Sequence, residues 1–219
     1  MYFQSRVEAG QLLAKQIIPK YKAKDCAVIA LNDGGVMVGA QIALELKCVL
    51  TLLLTETITL PRENDAVAGI SQDGSFSYNQ RYSQGELDEF VGEYYHLIEQ
   101  EKMEKMQNLH RLSGRSGLIR KDLLRDRNVI LVTDGLVDGF SLDIAMQYLK
   151  TIRTQRLIVA TPLASVKAVD RMHIMADEIF CLSVLEDYIE TNHYYETQDV
   201  PPHDKVIKTV EEIVTHWKN

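Results

Sequence analysis

The feature that most constrains this chain is an alternation of short, uninterrupted apolar runs with segments whose apolar residues fall at helical spacing. Cys26–Leu31, Val49–Leu54, Val129–Val132, Leu157–Ala160 and Glu178–Leu182 are too short for helices and too continuous for strands wetted on one face. Such runs predict strands buried on both sides, as in a parallel sheet covered by helices. Val36–Leu46, Ser141–Ile152 and Val166–Met175 supply the helices between them, and a terminal helix is predicted over Lys205–Trp217. An opening helix ahead of the first strand is expected to stop at Pro19. The order β-α-β, repeated, implies an α/β fold with a mainly parallel five-stranded sheet flanked by helices.

The alternation breaks between Thr55 and Gly85. Pro61, Asn64-Asp65 and Asp73-Gly74 are turn signals, the last flanked by Ala66–Ile70 and Phe76–Tyr78, which predicts a hairpin arm placed over the cleft. From Glu86 to Leu112, Leu87, Phe90, Val91, Tyr94, Leu97 and Ile98 share one face of a long amphipathic helix. Ser113–Gly117 reads as a loop. With 219 residues the chain is expected to be a single domain, residues 1–219, that includes arm 55–85 and helix 86–112. The long helix and arm carry more apolar surface than the sheet can cover, so a homodimer is expected.

Charge narrows the partners. The chain has 24 Lys plus Arg against 31 Asp plus Glu, a formal charge of −7, which lacks the basic footprint of a nucleic-acid or anionic-membrane binder. No apolar run approaches the roughly 20 residues that span a bilayer. The first ten residues hold no apolar segment of the secretory kind, although Tyr2-Phe3-Gln4-Ser5 matches what a tag-cleavage site leaves behind. Three separated cysteines, Cys26, Cys48 and Cys181, sit in or beside apolar stretches, as expected of buried thiols in the cytoplasm. The six histidines show no metal-ligand spacing, and His110, His173 and His216 fall on expected helices as surface residues.

Two glycine-bearing turns lie between a strand and a helix, and both should face one cleft: Leu31-Asn32-Asp33-Gly34-Gly35-Val36, and Val132-Thr133-Asp134-Gly135-Leu136-Val137-Asp138-Gly139-Phe140-Ser141. In open α/β sheets the carboxyl ends of strands form the ligand crevice, and helix N-termini there offer N–H groups to anions. Glycines in such turns also simply relieve crowding of the backbone.

The second turn resembles the ribose-phosphate loop of type I phosphoribosyltransferases, with Asp134-Gly135, Gly139 and Ser141 matching after the apolar strand. The likeness extends over nearly the whole chain, through Arg6 with Glu8-Ala9-Gly10, Gly34-Gly35-Val36, Asp65–Gly69 with Asp73-Gly74, Val159–Pro162, Asp177-Glu178, Cys181-Leu182 and Tyr195-Glu196. The wider chain resembles a subfamily of predicted phosphoribosyltransferases that opens with Phe, then Arg, then Glu-Ala-Gly, a resemblance that takes Phe3 onward as native. The resemblance assigns Asp33, Gly34 and Gly35 to the pyrophosphate loop, Thr133 to Ser141 to the ribose-phosphate loop, and the catalytic position to Asp134.

The departures run in one direction. Asp33 stands where the family has arginine, Glu56 and Thr57 where it has Arg-Lys, Thr133 and Asp134 where it has two acids, and Asp138 where it has threonine. A carboxylate about 4 Å from a phosphate opposes it by roughly 4 kcal/mol at an effective dielectric of 20. A helix N-terminus returns only about 0.3–2 kcal/mol. Asp138 as N-cap of the next helix would also occupy the N–H groups a phosphate needs. Asp33, Asp134 and Asp138 could instead gather into an acidic pocket for a hard cation or a cationic or hydroxylated small molecule, or remain three solvated carboxylates.

The resulting expectation is a protein of phosphoribosyltransferase fold with weakened or lost phosphoribosyl pyrophosphate chemistry, repurposed for another small-molecule ligand or a noncatalytic role and needing no cofactor. The alternative is an active transferase moving phosphoribosyl to an unknown, nucleobase-like acceptor, with Asp134 on the ribose and Mg2+ bridging the leaving group.

Overall fold

The structure, a computed structural model, describes residues 2–63, 65–113 and 121–216. Helix α1 (Arg6–Tyr21) leads into β1 (Cys26–Ala30), α2 (Asp33–Leu46) and β2 (Val49–Leu52). Then come β3 (Thr55–Ile58), β4 (Ala68–Ser71), β5 (Phe76–Tyr78) and α3 (Gln84–Leu112). The chain continues through β6 (Asn128–Val132), α4 (Phe140–Leu149), β7 (Arg156–Ser165), α5 (Val166–Met175), β8 (Glu178–Leu185) and α6 (His203–His216). Two compact units result: one holds β1, β2, β6, β7 and β8 with α1, α2, α5 and α6, and the other holds β3–β5 with α3 and α4.

In the first unit the strand order is β2-β1-β6-β7-β8, and every pairing is parallel. This is the expected five-stranded sheet. All residues of β1 and β6 are buried, which is why both read as unbroken apolar runs. Register fixes the geometry above them. Ala30 pairs with Val132, so the turns that leave β1 and β6 start level on neighbouring strands.

Two elements run further than expected, each through a proline. Pro19 lies inside α1, which runs on to Tyr21, because a missing N–H in the last turn removes one helical bond without blocking the next. Pro162 lies inside β7, which reaches Ser165 instead of ending at Ala160, and the ladder to β8 resumes beyond it at Leu163 and Ser183. Phe3 is core: it is 1% exposed, bridges Tyr195, and its N–H donates to the Tyr194 carbonyl (3.0 Å).

The second unit is a three-stranded antiparallel sheet in the order β3-β4-β5, where the sequence predicts a two-stranded hairpin. The predicted hairpin is β4 and β5 around Asp73-Gly74, and β3 adds a third strand against β4. Thr55-Glu56-Thr57-Ile58 is too short and too polar to read as a strand alone. Glu56 accepts from Asn108 Nδ2 of α3 (2.7 Å), with Lys105 at 3.8 Å.

Helix α3 starts at Ser83, whose side chain accepts from the Glu86 N–H, and departs from helical geometry at Tyr94. Its apolar face packs on the small sheet: Ile98 joins Leu60 and Val67, with Phe76, Tyr78, Leu87, Phe90, Val91 and Leu97 around them. Of that face Ile98 is buried, whereas Leu87, Phe90, Val91, Tyr94 and Leu97 stay half-buried. Asn64, residues 114–117 of the expected loop, and Trp217 at the end of the expected terminal helix lie outside the described residues.

Candidate functional site

Asn32 and Asp134 each sit two residues beyond paired strand ends, and the register brings their side chains together. Asn32 Nδ2 donates to Asp134 Oδ1 (2.8 Å), while Asn32 Oδ1 accepts from the Gly35 N–H (2.6 Å), capping α2. The amide at the first turn is therefore already satisfied by a side chain.

Asp134 is 4% exposed, and its second oxygen is also taken. Arg6 Nε donates to Asp134 Oδ2 at 2.7 Å, and Arg6 is itself only 2% exposed. The rest of the guanidinium faces Asn192 Oδ1 (2.6 Å) and Asp199 Oδ1 (3.5 Å), with its carbon 4.4 Å from the centre of the Tyr195 ring. Asp199 Oδ2 accepts from the Arg6 and Val7 N–H groups (2.9 and 3.3 Å), capping the start of α1. Tyr195 completes the ring by donating its hydroxyl to the Asp134 carbonyl (2.6 Å), and burial raises the pKa of its phenol. A buried ion pair survives only when its remaining donors and acceptors are matched, as they are here.

The turn glycine fits around this pair. A Cβ on Gly34 would lie 2.0 Å from Asp134 Oδ2 and 2.9 Å from Arg6 Nε, so a larger residue would break the contact.

The other expected site residues are placed as follows. Asp33 opens α2 with its oxygens 2.9 and 3.0 Å from His203 Nδ1 of α6. Thr133 donates its hydroxyl to the Gly135 carbonyl (3.1 Å). Leu136 runs beside β7, donating to the Leu163 carbonyl (2.9 Å) and accepting from the Ser165 N–H (3.0 Å). Val137 is exposed, and its carbonyl accepts from the Ser165 hydroxyl. Asp138 is half-buried, and Gly139 ends the turn at a φ of 81°. Gly139 rather than Asp138 directly precedes α4, and Phe140 and Ser141 open that helix in the other unit.

The gathered acidic pocket does not form. Asp134 turns to Arg6 and Asn32, and Asp33 turns to His203, because each carboxylate takes the nearest donor rather than a like charge. Among the described residues no group of three or more His, Cys, Asp or Glu side chains converges as metal ligands would. Arg6 reaches the turns from α1 with its charge paired to Asp134 and Asp199.

Residues 4–199 match the phosphoribosyl transferase domain family. The chain belongs to that family. The protein TT1426 from Thermus thermophilus has a similar structure, with a TM-score of 0.74 and 25% identity over 97% of this chain and 99% of that one. Two Mycobacterium tuberculosis proteins, each named "Putative phosphoribosyl transferase" (MT0597 and Rv0571c), are 24% identical over 94% of the chain. The chain spans less than half the length of those two relatives, 45% of each.

Of the residues now seen around the turns, Asn192, Asp199 and His203 carry no local pattern in the sequence that marks them as parts of the site. Arg6 and Tyr195 stand out there only as points of likeness. The family implies magnesium, and since no group of three or more His, Cys, Asp or Glu side chains converges among the described residues, these do not fit an ion held by protein carboxylates alone.

Proposed function

We propose that this phosphoribosyl transferase family member has weakened or lost phosphoribosyl pyrophosphate chemistry and serves in another ligand-binding or noncatalytic role. The observation that carries the reading is the saturation of its turns. Each oxygen of Asp134 and the N–H of Gly35 already has a partner within the protein, so a ribose phosphate competes at these atoms with contacts that are buried and in place. A displaced acid left buried without its partner costs more than the new contact returns. Asp33 and Asp138 add negative charge to the turns and oppose a ligand that carries several phosphate charges.

The same reading takes the protein as a cytoplasmic homodimer whose partner is a small molecule. Three separate thiols support a reducing compartment, and burial pushes the Cys26 and Cys48 thiols up to about 11 and about 12. No helix among the described residues is long and apolar enough to cross a membrane. Tyr95 and Met103, exposed on α3, are the apolar side chains available there for self-association.

Isothermal titration of the full chain with phosphoribosyl pyrophosphate and magnesium tests the central point. Binding weaker than millimolar is the expected result. Micromolar binding would restore the active transferase, with Asp134 released from Arg6 to meet the ribose.

A further inference from the structure

After β8 the chain returns across both glycine turns. Tyr188 and Thr191 stand at the second turn, with their hydroxyl oxygens 2.8 Å apart. A Cβ on Gly135 would lie 2.2 Å from the Tyr188 hydroxyl and 2.7 Å from Thr191 Cγ2, so these two side chains fill the space that glycine leaves open. Asn192 and Asp199 hold Arg6, Tyr195 holds the Asp134 carbonyl, and His203 faces Asp33 at the first turn. The side chains of one short segment thus reach one turn, the other, and the arginine between them.

The segment is also anchored along its own length. Phe3 accepts from the Glu196 N–H (2.9 Å), and the Tyr194 hydroxyl donates to the Asp187 carbonyl (3.0 Å). Its two ends differ in chemistry. Around Arg6 the contacts are charge-assisted and buried, whereas at Gly135 they come from neutral hydroxyls, and charge-assisted hydrogen bonds are roughly twice as strong as neutral ones. Burial pushes the Tyr188 phenol up to about 12, so that hydroxyl stays neutral at physiological pH.

We propose that residues 188–203 form a strap that closes the two turns, and that Tyr188 and Thr191 are its gate, deciding whether a phosphate-bearing ligand reaches Gly135. The strap opens from the Tyr188–Thr191 end while Arg6 and Asp199 keep the other end fixed. A glycine at 135 is then explained: it makes room for the closed gate and leaves backbone accessible when the gate lifts.

The inference rests on the reading that the wild-type protein binds phosphoribosyl pyrophosphate poorly. Tyr188→Ala with Thr191→Ala removes the gate and leaves Arg6, Asp134, Asn192, Asp199 and His203 in place. Titration with phosphoribosyl pyrophosphate and magnesium should then show binding at least about tenfold tighter than wild type, equivalent to about 1.4 kcal/mol. Tyr188→Phe keeps the ring and should shift affinity in the same direction by less, which covers the case where the double variant fails to fold. Unchanged or weaker binding in folded variants would make the strap a purely structural tie and overturn the proposal.

Tight binding by the wild type would instead remove the premise that this protein binds phosphoribosyl pyrophosphate poorly. The strap is then judged by hydrogen exchange in the wild-type protein. Faster exchange of amides 188–192 on adding the ligand supports a gate that lifts, and slower exchange overturns it.

Discussion

The two compact units treat charge in opposite ways. In the parallel-sheet unit, Arg6 and Asp134 are almost fully buried and the polar atoms around them are matched across the chain. In the antiparallel unit an apolar cluster gathers around Leu60, Val67 and Ile98, and the Arg81–Asp65 ion pair lies at the surface. Arg81 and Asp65 pair at 2.9 Å with side chains 43% and 47% exposed. A buried, mutually satisfied network gives a turn one geometry and fails as a whole when a member is lost. An apolar cluster loses stability in proportion to the volume removed, and its surface pairs contribute little.

The sharpest break in this comparison comes from Arg6→Ala. It leaves Asp134 and Asp199 without their cation, and breaking a buried pair on one side costs about 3–5 kcal/mol. Arg81→Ala in the second unit should cost no more than about 1 kcal/mol, because that pair is exposed and screened. Urea unfolding of both variants measures the gap. Equal midpoints would mean that the Arg6 network does not hold the turns.

A second variant sharpens the other side. Ile98, 3% exposed on α3, packs against Leu60 and Val67, and Ile98→Ala should cost about 2–5 kcal/mol depending on how far the cluster collapses. Polar chemistry plays no part in that loss. The variant should leave any affinity for phosphoribosyl pyrophosphate where it was, whereas Arg6→Ala should change it. A loss of stability below about 1 kcal/mol, read from the same urea titration, would show that α3 is held by something other than this cluster.

The contrast also explains what the sequence could show. Buried parallel strands announce themselves as unbroken apolar runs, so β1, β6 and their helices were legible, and so were both glycine turns. Boundaries failed at Pro19 and Pro162, where the rest of the element outweighs one missing N–H. Strand β3 was hidden because Thr55–Ile58 becomes a strand only through its pairing with β4.

The site was legible as backbone and illegible as charge. Arg6 meets partners 128, 186 and 193 positions away, and no local pattern specifies which carboxylate a lone arginine will find. Counting acids near the turns therefore could not show which donor each one meets. Asp33 had its partner on α6 and Asp134 had its partner on α1.

The smallest expected effect lies at the start of α3, where the second unit relies on an exposed polar contact. Ser83 and Glu86 form a reciprocal cap: the Ser83 N–H and hydroxyl both donate to Glu86 Oε2 (2.7 Å each), and the Glu86 N–H donates to Ser83 Oγ (3.3 Å). Ser83→Ala removes the N-cap oxygen and should cost about 1 kcal/mol at neutral pH. The hydroxyl of Ser83, and after it the backbone N–H, holds the Glu86 carboxyl below its ordinary 4.5. A carboxyl depressed in the folded state adds stability above its unfolded pKa, and that contribution fades as pH falls through the lower folded value. The difference between wild type and Ser83→Ala should therefore be full at neutral pH and shrink on acidification below 4.5. Thermal unfolding across that range reads it. A difference that grows on acidification would mean that Glu86 is not the partner that gives this cap its strength.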